Sequence, residues 1–227
     1  MKYHNKIAKN IVVTAIAAVS LFGSSLSAQF AGSVMPTVIV PGGASQVKPP
    51  ILLPNPNDRV IININHQRQE PMLCLPTCAS MMLNKFGWNY PPRQIKLATM
   101  KLPYYGPNTP FTYWTSTSSQ DIISALNYLG IKSWRSSHYL NNDSDFNRGF
   151  DHIKASLKSG YPVMILIRPS GGYLHAVVLN GFDESKKIIY ITDPGTTVNK
   201  GAVTYSYSLF KDIWRNISNN RTAIFMY

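Results

Sequence analysis

Cys74 lies two residues before Pro76 in the stretch Gln69-Glu70-Pro71-Met72-Leu73-Cys74-Leu75-Pro76-Thr77-Cys78. Proline is tolerated in the first turn of a helix, where its missing N–H has no intrahelical partner anyway, so a helix predicted over Pro76 to Phe86 begins just after Cys74. A thiol at that position feels the positive end of the helix dipole, which favours the thiolate, the nucleophilic form. The N–H groups of the same helix start are oriented to hold an oxyanion. Gln69, or Gln67, stands just upstream as a side-chain donor. One turn further on, Cys78 shares a face with Met81 and Met82 and reads as core packing. Helical residues four apart rarely meet disulfide geometry, so both thiols are expected to be free.

A base for such a nucleophile is found a hundred residues later. His175 opens the apolar strand Leu174 to Gly181, and a second strand, Lys187 to Thr192, follows across the polar turn Asp183 to Lys186. A hairpin centred on Glu184 pairs Gly181 with Lys187, Val177 with Ile191 and His175 with Asp193. Directly opposed residues bring their Cβ atoms to about 5 Å. A carboxylate beside an imidazole fixes its tautomer and stabilises the imidazolium. Asp193-Pro194-Gly195 also reads as a turn, and one residue can serve both purposes. Taken singly, Cys74 is consistent with an ordinary buried thiol and His175 with a satisfied structural histidine. Taken together, in the order Cys, His, Asp, they point to covalent thiol catalysis at an acyl group.

The elements that must position these residues follow from the apolar periodicity. A strand over Val60 to Ile64 precedes the Cys74 helix, which Gly87 closes. Shorter helices are predicted from Pro92 to Met100, from a cap at Ser118 or Ser119 to Gly130, and around Phe150, Ile153 and Leu157 up to Gly160. Residues 103–117 are rich in Pro, Gly, Thr and aromatics and read as a long loop. Strands are then predicted over Tyr161 to Ile167, Leu174 to Gly181, Lys187 to Thr192 and Ala223 to Tyr227. Helices first and strands later imply an α+β domain with a helical half and an antiparallel-sheet half.

The start of the chain has a different character. Lys2, Lys6 and Lys9 precede the apolar stretch Ile11 to Phe22, which is too short for a comfortable membrane span, and Ser25, Ser27 and Ala28 are small. This is the pattern of a secretory signal over residues 1–28, and it implies a secreted or periplasmic protein. Residues 29–59 hold six prolines and read as a linker or short pro-segment, leaving residues 60–227 as the folded domain. Without those three lysines, 19 basic residues face 10 acidic ones, a net charge of about +9. Such a charge suits an anionic envelope surface. Nucleic acid is not expected as a specific partner, because the basic residues are scattered and no recognition motif accompanies them. Cys74, Cys78 and His66 match no common zinc spacing, and no phosphate-binding or dinucleotide glycine loop is present.

On these motifs the sequence resembles the papain-like cysteine peptidase superfamily, and most closely the bacterial C39-like peptidases. Cys74, Pro76, Thr77, Met81, Leu83 and Phe86-Gly87 stand at positions of that family's nucleophile helix. Gly160-Tyr161-Pro162-Val163 resembles its Gly-x-Pro-Val strand. His175-Ala176-Val177-Val178, Gly181-Phe182 and Asp193-Pro194 resemble its histidine strand and the Asp-Pro that follows. The resemblance implies a papain-like fold and hydrolysis of peptide bonds in a protein or peptide substrate. Cys74, His175 and Asp193 would be the catalytic triad and Gln69 the oxyanion donor, with neither metal nor organic cofactor required. Two features depart from the pattern. Leu75 replaces the Gly or Trp usual after the nucleophile, and Gln69 and Gln67 lie five and seven residues before Cys74 where six is usual. The same site would also suit other acyl chemistry, such as peptidoglycan amide hydrolysis or transglutamination, and the fold alone would suit an inactive binding module. Against the wall amidases, their Asp-Cys-Ser type motif is missing around Cys74.

Overall fold

Strand β4 (His175–Asp183) is the longest of the sheet, and every position after His175 is buried. In a computed structural model, which describes residues 55, 58–103, 106, 116–169, 172–216 and 218–227, the other elements are arranged around it. In chain order they are β1 (Arg59–Ile61), α1 (Cys74–Lys85), α2 (Pro92–Thr99), α3 (Ser119–Tyr128), β2 (Trp134–Tyr139), α4 (Asp143–Lys158), β3 (Val163–Ile167), β4, β5 (Ile188–Thr192), β6 (Ala202–Ser206), α5 (Tyr207–Ile213) and β7 (Arg221–Met226). A short 3-10 turn (Val198–Gly201) precedes β6. The stretch read as a secretory signal, most of the linker and most of the loop over 103–117 lie outside the described residues.

All strand pairs are antiparallel. The sheet runs β2-β7-β3-β4-β5-β6, with β1 on β4 beyond the end of β3. Strands β3 and β7 are buried at every position, so the sheet is covered on both faces. Helix α1 packs on β3 and β4 and also on α2 and α3, while α4 packs on β1 to β4 and on β7. The α+β class with a helical portion and an antiparallel sheet agrees with the sequence. Helices and strands interleave more than the sequence suggested, because β2 precedes α4 and α5 follows β6.

Side-chain caps start α3 and α4, as they do α5. Ser118 caps α3 in a reciprocal capping box with Asp121, and the Asn142 side chain caps α4 through the Asp145 amide. Helix α1 has no side-chain cap, and it begins at Cys74, two residues before the predicted start.

The hairpin register differs from the one expected. The turn spans residues 184–187, with Lys187 at φ 53, so Asp183 pairs with Ile188 and Gly181 with Tyr190. A bulge at Asn180 then shifts the pairing, and Leu179 meets Ile191. Continued past the strand end, this register sets Asp193 opposite Val177 rather than His175. The bulge has a purpose on the other edge. Asn180 donates through Nδ2 to the Ile62 carbonyl at 2.8 Å and accepts the Ile62 N–H on its own carbonyl at 2.7 Å. Gly181 is required beside it, since a Cβ there would lie 2.4 Å from the Val60 carbonyl oxygen. The segment that leads to Cys74 is therefore fastened to the strand that carries His175.

Candidate active site

The chain enters α1 through a tight turn. The Leu73 N–H donates to the Glu70 carbonyl at 3.1 Å, with Met72 held at φ 64, a conformation more usual for glycine. Arg93 of α2 grips the Glu70 carboxylate with two nitrogens, at 2.8 and 2.7 Å. The turn delivers the Cys74 sulfur to the helix start, half-buried, while Cys78 is fully buried one turn later; both thiols are free.

His175 lies 21% exposed against this helix start. Its Nε2 meets Oδ1 of Asp193 at 2.6 Å, although the two residues are not directly opposed in the sheet. Its other neighbour is the Cys74 thiol, and Nδ1 is the ring nitrogen left to face it. The same Asp193 oxygen accepts the Gly195 N–H at 2.7 Å, so the Asp-Pro-Gly turn and the contact with the imidazole share one atom.

The ionisation of the cluster follows from these contacts. Burial pushes the Cys74 thiol up, but the hydrogen bond from His175, backbone bonds at Ala176 and Leu75 and the imidazole charge together hold it below its ordinary 9.0. Burial alone would lower His175. The Asp193 and Cys74 contacts outweigh it and raise the imidazole to about 9. For Asp193, burial opposes ionisation, and the imidazole, the Gly195 N–H and the nearby His66 reverse it, leaving the carboxyl below 3.8. Cys78 moves the opposite way. Its burial, with Cys74 and Asp193 close by, drives it well above 9.0. Both shifts run toward a thiolate at residue 74 beside an imidazolium at 175.

A cleft of about 640 Å³ opens at the sulfur. Cys74 and His175 form part of its wall, with Met72, Leu75, Leu166 and Leu174 as apolar lining. Leu75 turns largely inward, at 3% exposure, and leaves this volume beside the sulfur. Tyr173, 94% exposed, stands at the rim.

The glutamines do not line the cleft. The Gln69 N–H donates to the Pro194 carbonyl at 2.9 Å, and its side-chain Oε1 is buried with no partner among the described residues. Gln67 accepts the Ser80 hydroxyl on Oε1 at 2.9 Å. The side chains that sequence reasoning missed support the site from behind. His66 places Nε2 3.1 Å from the Asp193 carbonyl oxygen, and it fills the space where a Cβ on Gly201 (φ +74) would sit. Lys96, buried on α2, donates to the Thr117 hydroxyl at 2.8 Å and so holds another part of the cleft wall. A separation of 127 residues between His66 and Asp193 left no local signal for their contact. Among the described residues no three His, Cys, Asp or Glu side chains group as metal ligands.

Comparisons with known proteins bear on this arrangement. The chain resembles the peptidase domain of Streptococcus ComA, a bi-functional ABC transporter involved in a quorum-sensing pathway (TM-score 0.48, 16% identity, 74% of this chain and 96% of that one). It also resembles UfSP from C. elegans (TM-score 0.50, 15% identity, 75% of this chain and 34% of that one). A third likeness is to xylellain, a cysteine protease from Xylella fastidiosa (TM-score 0.45, 14% identity, 74% and 85%). Identities this low speak of fold and not of activity. The sequence matches no curated protein. The model of the Peptidase_C39 like family matches residues 61–222, most of the chain, and the chain therefore belongs to that family of papain-like cysteine peptidases.

Proposed function

We propose that the protein is an exported cysteine peptidase that cleaves peptide bonds through Cys74, His175 and Asp193. One observation carries this reading: a thiol at an uncapped helix start whose pKa is lowered by the imidazole beside it, an imidazole that a half-buried carboxylate 2.6 Å away favours in its protonated form. The imidazolium favours the thiolate, the nucleophilic form, ahead of substrate binding.

The Cys74 thiolate attacks the carbonyl carbon of a peptide bond lying in the cleft. The negative charge that develops on the carbonyl oxygen is met by the Cys74 N–H at the α1 start and by the Gln69 side-chain amide. Gln69 suits this role because its backbone is tied to Pro194, next to Asp193, and its side-chain NH2 is a donor carried on that tied segment. His175 then gives its proton to the leaving amine as the C–N bond breaks, which leaves a thioester on Cys74. Water, deprotonated by the now neutral His175, attacks the thioester and releases the acid, restoring the ion pair. Asp193 keeps the ring oriented and the imidazolium stable throughout. Export rests on the leader pattern of residues 1–28.

The experiment is digestion of casein beside purified peptidoglycan by wild type, Cys74→Ala and His175→Ala. Release of casein fragments by wild type alone supports the reading. Release from peptidoglycan only would replace it with wall-amide chemistry, and no release from either would remove it.

A further inference from the structure

A second hollow, of about 320 Å³, adjoins the cleft and is lined by Arg168, Pro169, Gly172, Arg215 and Asn219. Arg168 and Gly172 line both, so the two spaces share a wall. The backbone brings the two arginines together: the N–H groups of Arg168 and Arg215 both donate to the Ile213 carbonyl, at 2.7 and 2.8 Å. Trp214, the residue before Arg215, is fully buried and pinned through its indole N–H to the Thr222 carbonyl at 3.0 Å. Tight turns close the other sides, with Gly172 N–H on the Pro169 carbonyl at 2.9 Å and Asn219 N–H on the Asn216 carbonyl at 3.1 Å.

The charge in this hollow is unbalanced. All ten acidic residues of the chain are among the described residues. None of them lines the hollow, and the ion pairs they form use other basic residues. The Nε of Arg215 is buried with no hydrogen-bond partner among the described residues. A desolvated guanidinium donor without an acceptor is unfavourable, and a carboxylate is the group whose geometry its planar fork fits.

We propose that this hollow is an anion subsite of the cleft, which binds a carboxylate of the substrate peptide some residues away from the bond Cys74 attacks. The carboxylate belongs to an acidic side chain or to the free C-terminus of the peptide. The proposal deepens the peptidase reading and rests on it for the identity of the occupant as a peptide.

Binding to the Cys74→Ala protein tests the subsite without requiring turnover. Three fluorescein-labelled peptides of one Leu- and Gly-rich sequence are compared by anisotropy: one with two Glu residues and an amidated end, one neutral with a free C-terminus, and one neutral and amidated. At least one charged peptide should bind about tenfold tighter than the neutral amidated one, as expected for a charge-assisted hydrogen-bonded pair. Which charged peptide gains identifies the source of the carboxylate. The gain should shrink as salt is raised from about 0.1 M to 1 M, where the screening length falls from about 10 to 3 Å. It should disappear in Arg215→Gln. Arg168→Gln, at an exposed position, gives the same answer should Arg215→Gln fail to fold. Equal affinities for the three peptides, no measurable binding of either charged one, or a preference that survives both substitutions would overturn the subsite. Failure of the peptidase reading is separate, because it appears as absent casein hydrolysis while the arginine-dependent binding persists.

Discussion

Oδ1 of Asp193 accepts hydrogen bonds from both His175 Nε2, at 2.6 Å, and the Gly195 N–H, at 2.7 Å, so the orientation of the imidazole is built into a turn. Asp193→Asn keeps an oxygen for the turn but removes the charge that stabilises the imidazolium. We expect kcat/KM to fall by about 10²–10⁴-fold and its alkaline limb to move below pH 9. Asp193→Ala should break the Gly195 bond as well, with about 1 kcal/mol of additional destabilisation in urea unfolding.

Gly195 tests the same pairing by crowding. A Cβ there would lie 3.1 Å from Asp193 Oδ1 and 3.2 Å from His175 Cε1 and Nε2. Gly195→Ala should therefore push the carboxylate and the ring apart. The expected outcome is a drop in kcat of about tenfold with little change in KM, the signature of weakened transition-state stabilisation with substrate binding intact.

The pH dependence has a defined sign. The proposed mechanism needs Cys74 ionised and His175 protonated, so kcat/KM should rise as the thiol ionises below 9.0 and fall as the imidazole loses its proton at about 9. Stability follows the same groups. The folded pKa of His175 is raised above 6.5, so its contribution is complete below pH 6.5 and is lost as pH climbs to about 9. Asp193 is depressed below 3.8, and its contribution is lost as pH falls beneath that value. The Tm difference between wild type and His175→Ala should be largest between pH 3.8 and 6.5 and shrink toward pH 9, as measured by calorimetry.

The two glutamines separate by kinetics. Gln69→Ala should lower kcat by about 10²-fold, the usual effect of removing one oxyanion donor. Gln67→Ala removes the acceptor of the Ser80 hydroxyl and should act mainly on stability, by about 1–3 kcal/mol, because that hydroxyl is buried. The reverse pattern would transfer the oxyanion role to Gln67.

The Cys74 helix and the His175 strand are legible because their signals are local. Pro76 marks a first turn, Gly87 closes the helix at φ +83, and Ala176 to Leu179 after His175 are all apolar. The register between β4 and β5 was not, since nothing in Asp183 to Lys187 announces a four-residue turn with Lys187 at positive φ, and the bulge at Asn180 exists to hold Ile62, 118 residues earlier. Asp193 reaches His175 despite the shifted register, because two residues along a strand return the side chain to the same face. Strand β2, Trp-Arg-Ser-Ser-His-Tyr, carries little apolar alternation and is a strand only through β7, about ninety residues later. Strand β6 is a half-exposed edge, and α5 is a seven-residue helix started by the Ser206 cap. His66, a single histidine among polar residues, gave no sign that it would back Asp193.

The most direct test of the ion pair is labelling with a thiol-directed epoxide at pH 6, read by mass spectrometry. An ordinary thiol of pKa 9.0 is then ionised to only about one part in a thousand. A rapid adduct on Cys74 is expected, with none on Cys78 and a rate at least about 10²-fold lower in His175→Ala. No adduct on Cys74, or equal labelling of the two cysteines, would contradict it.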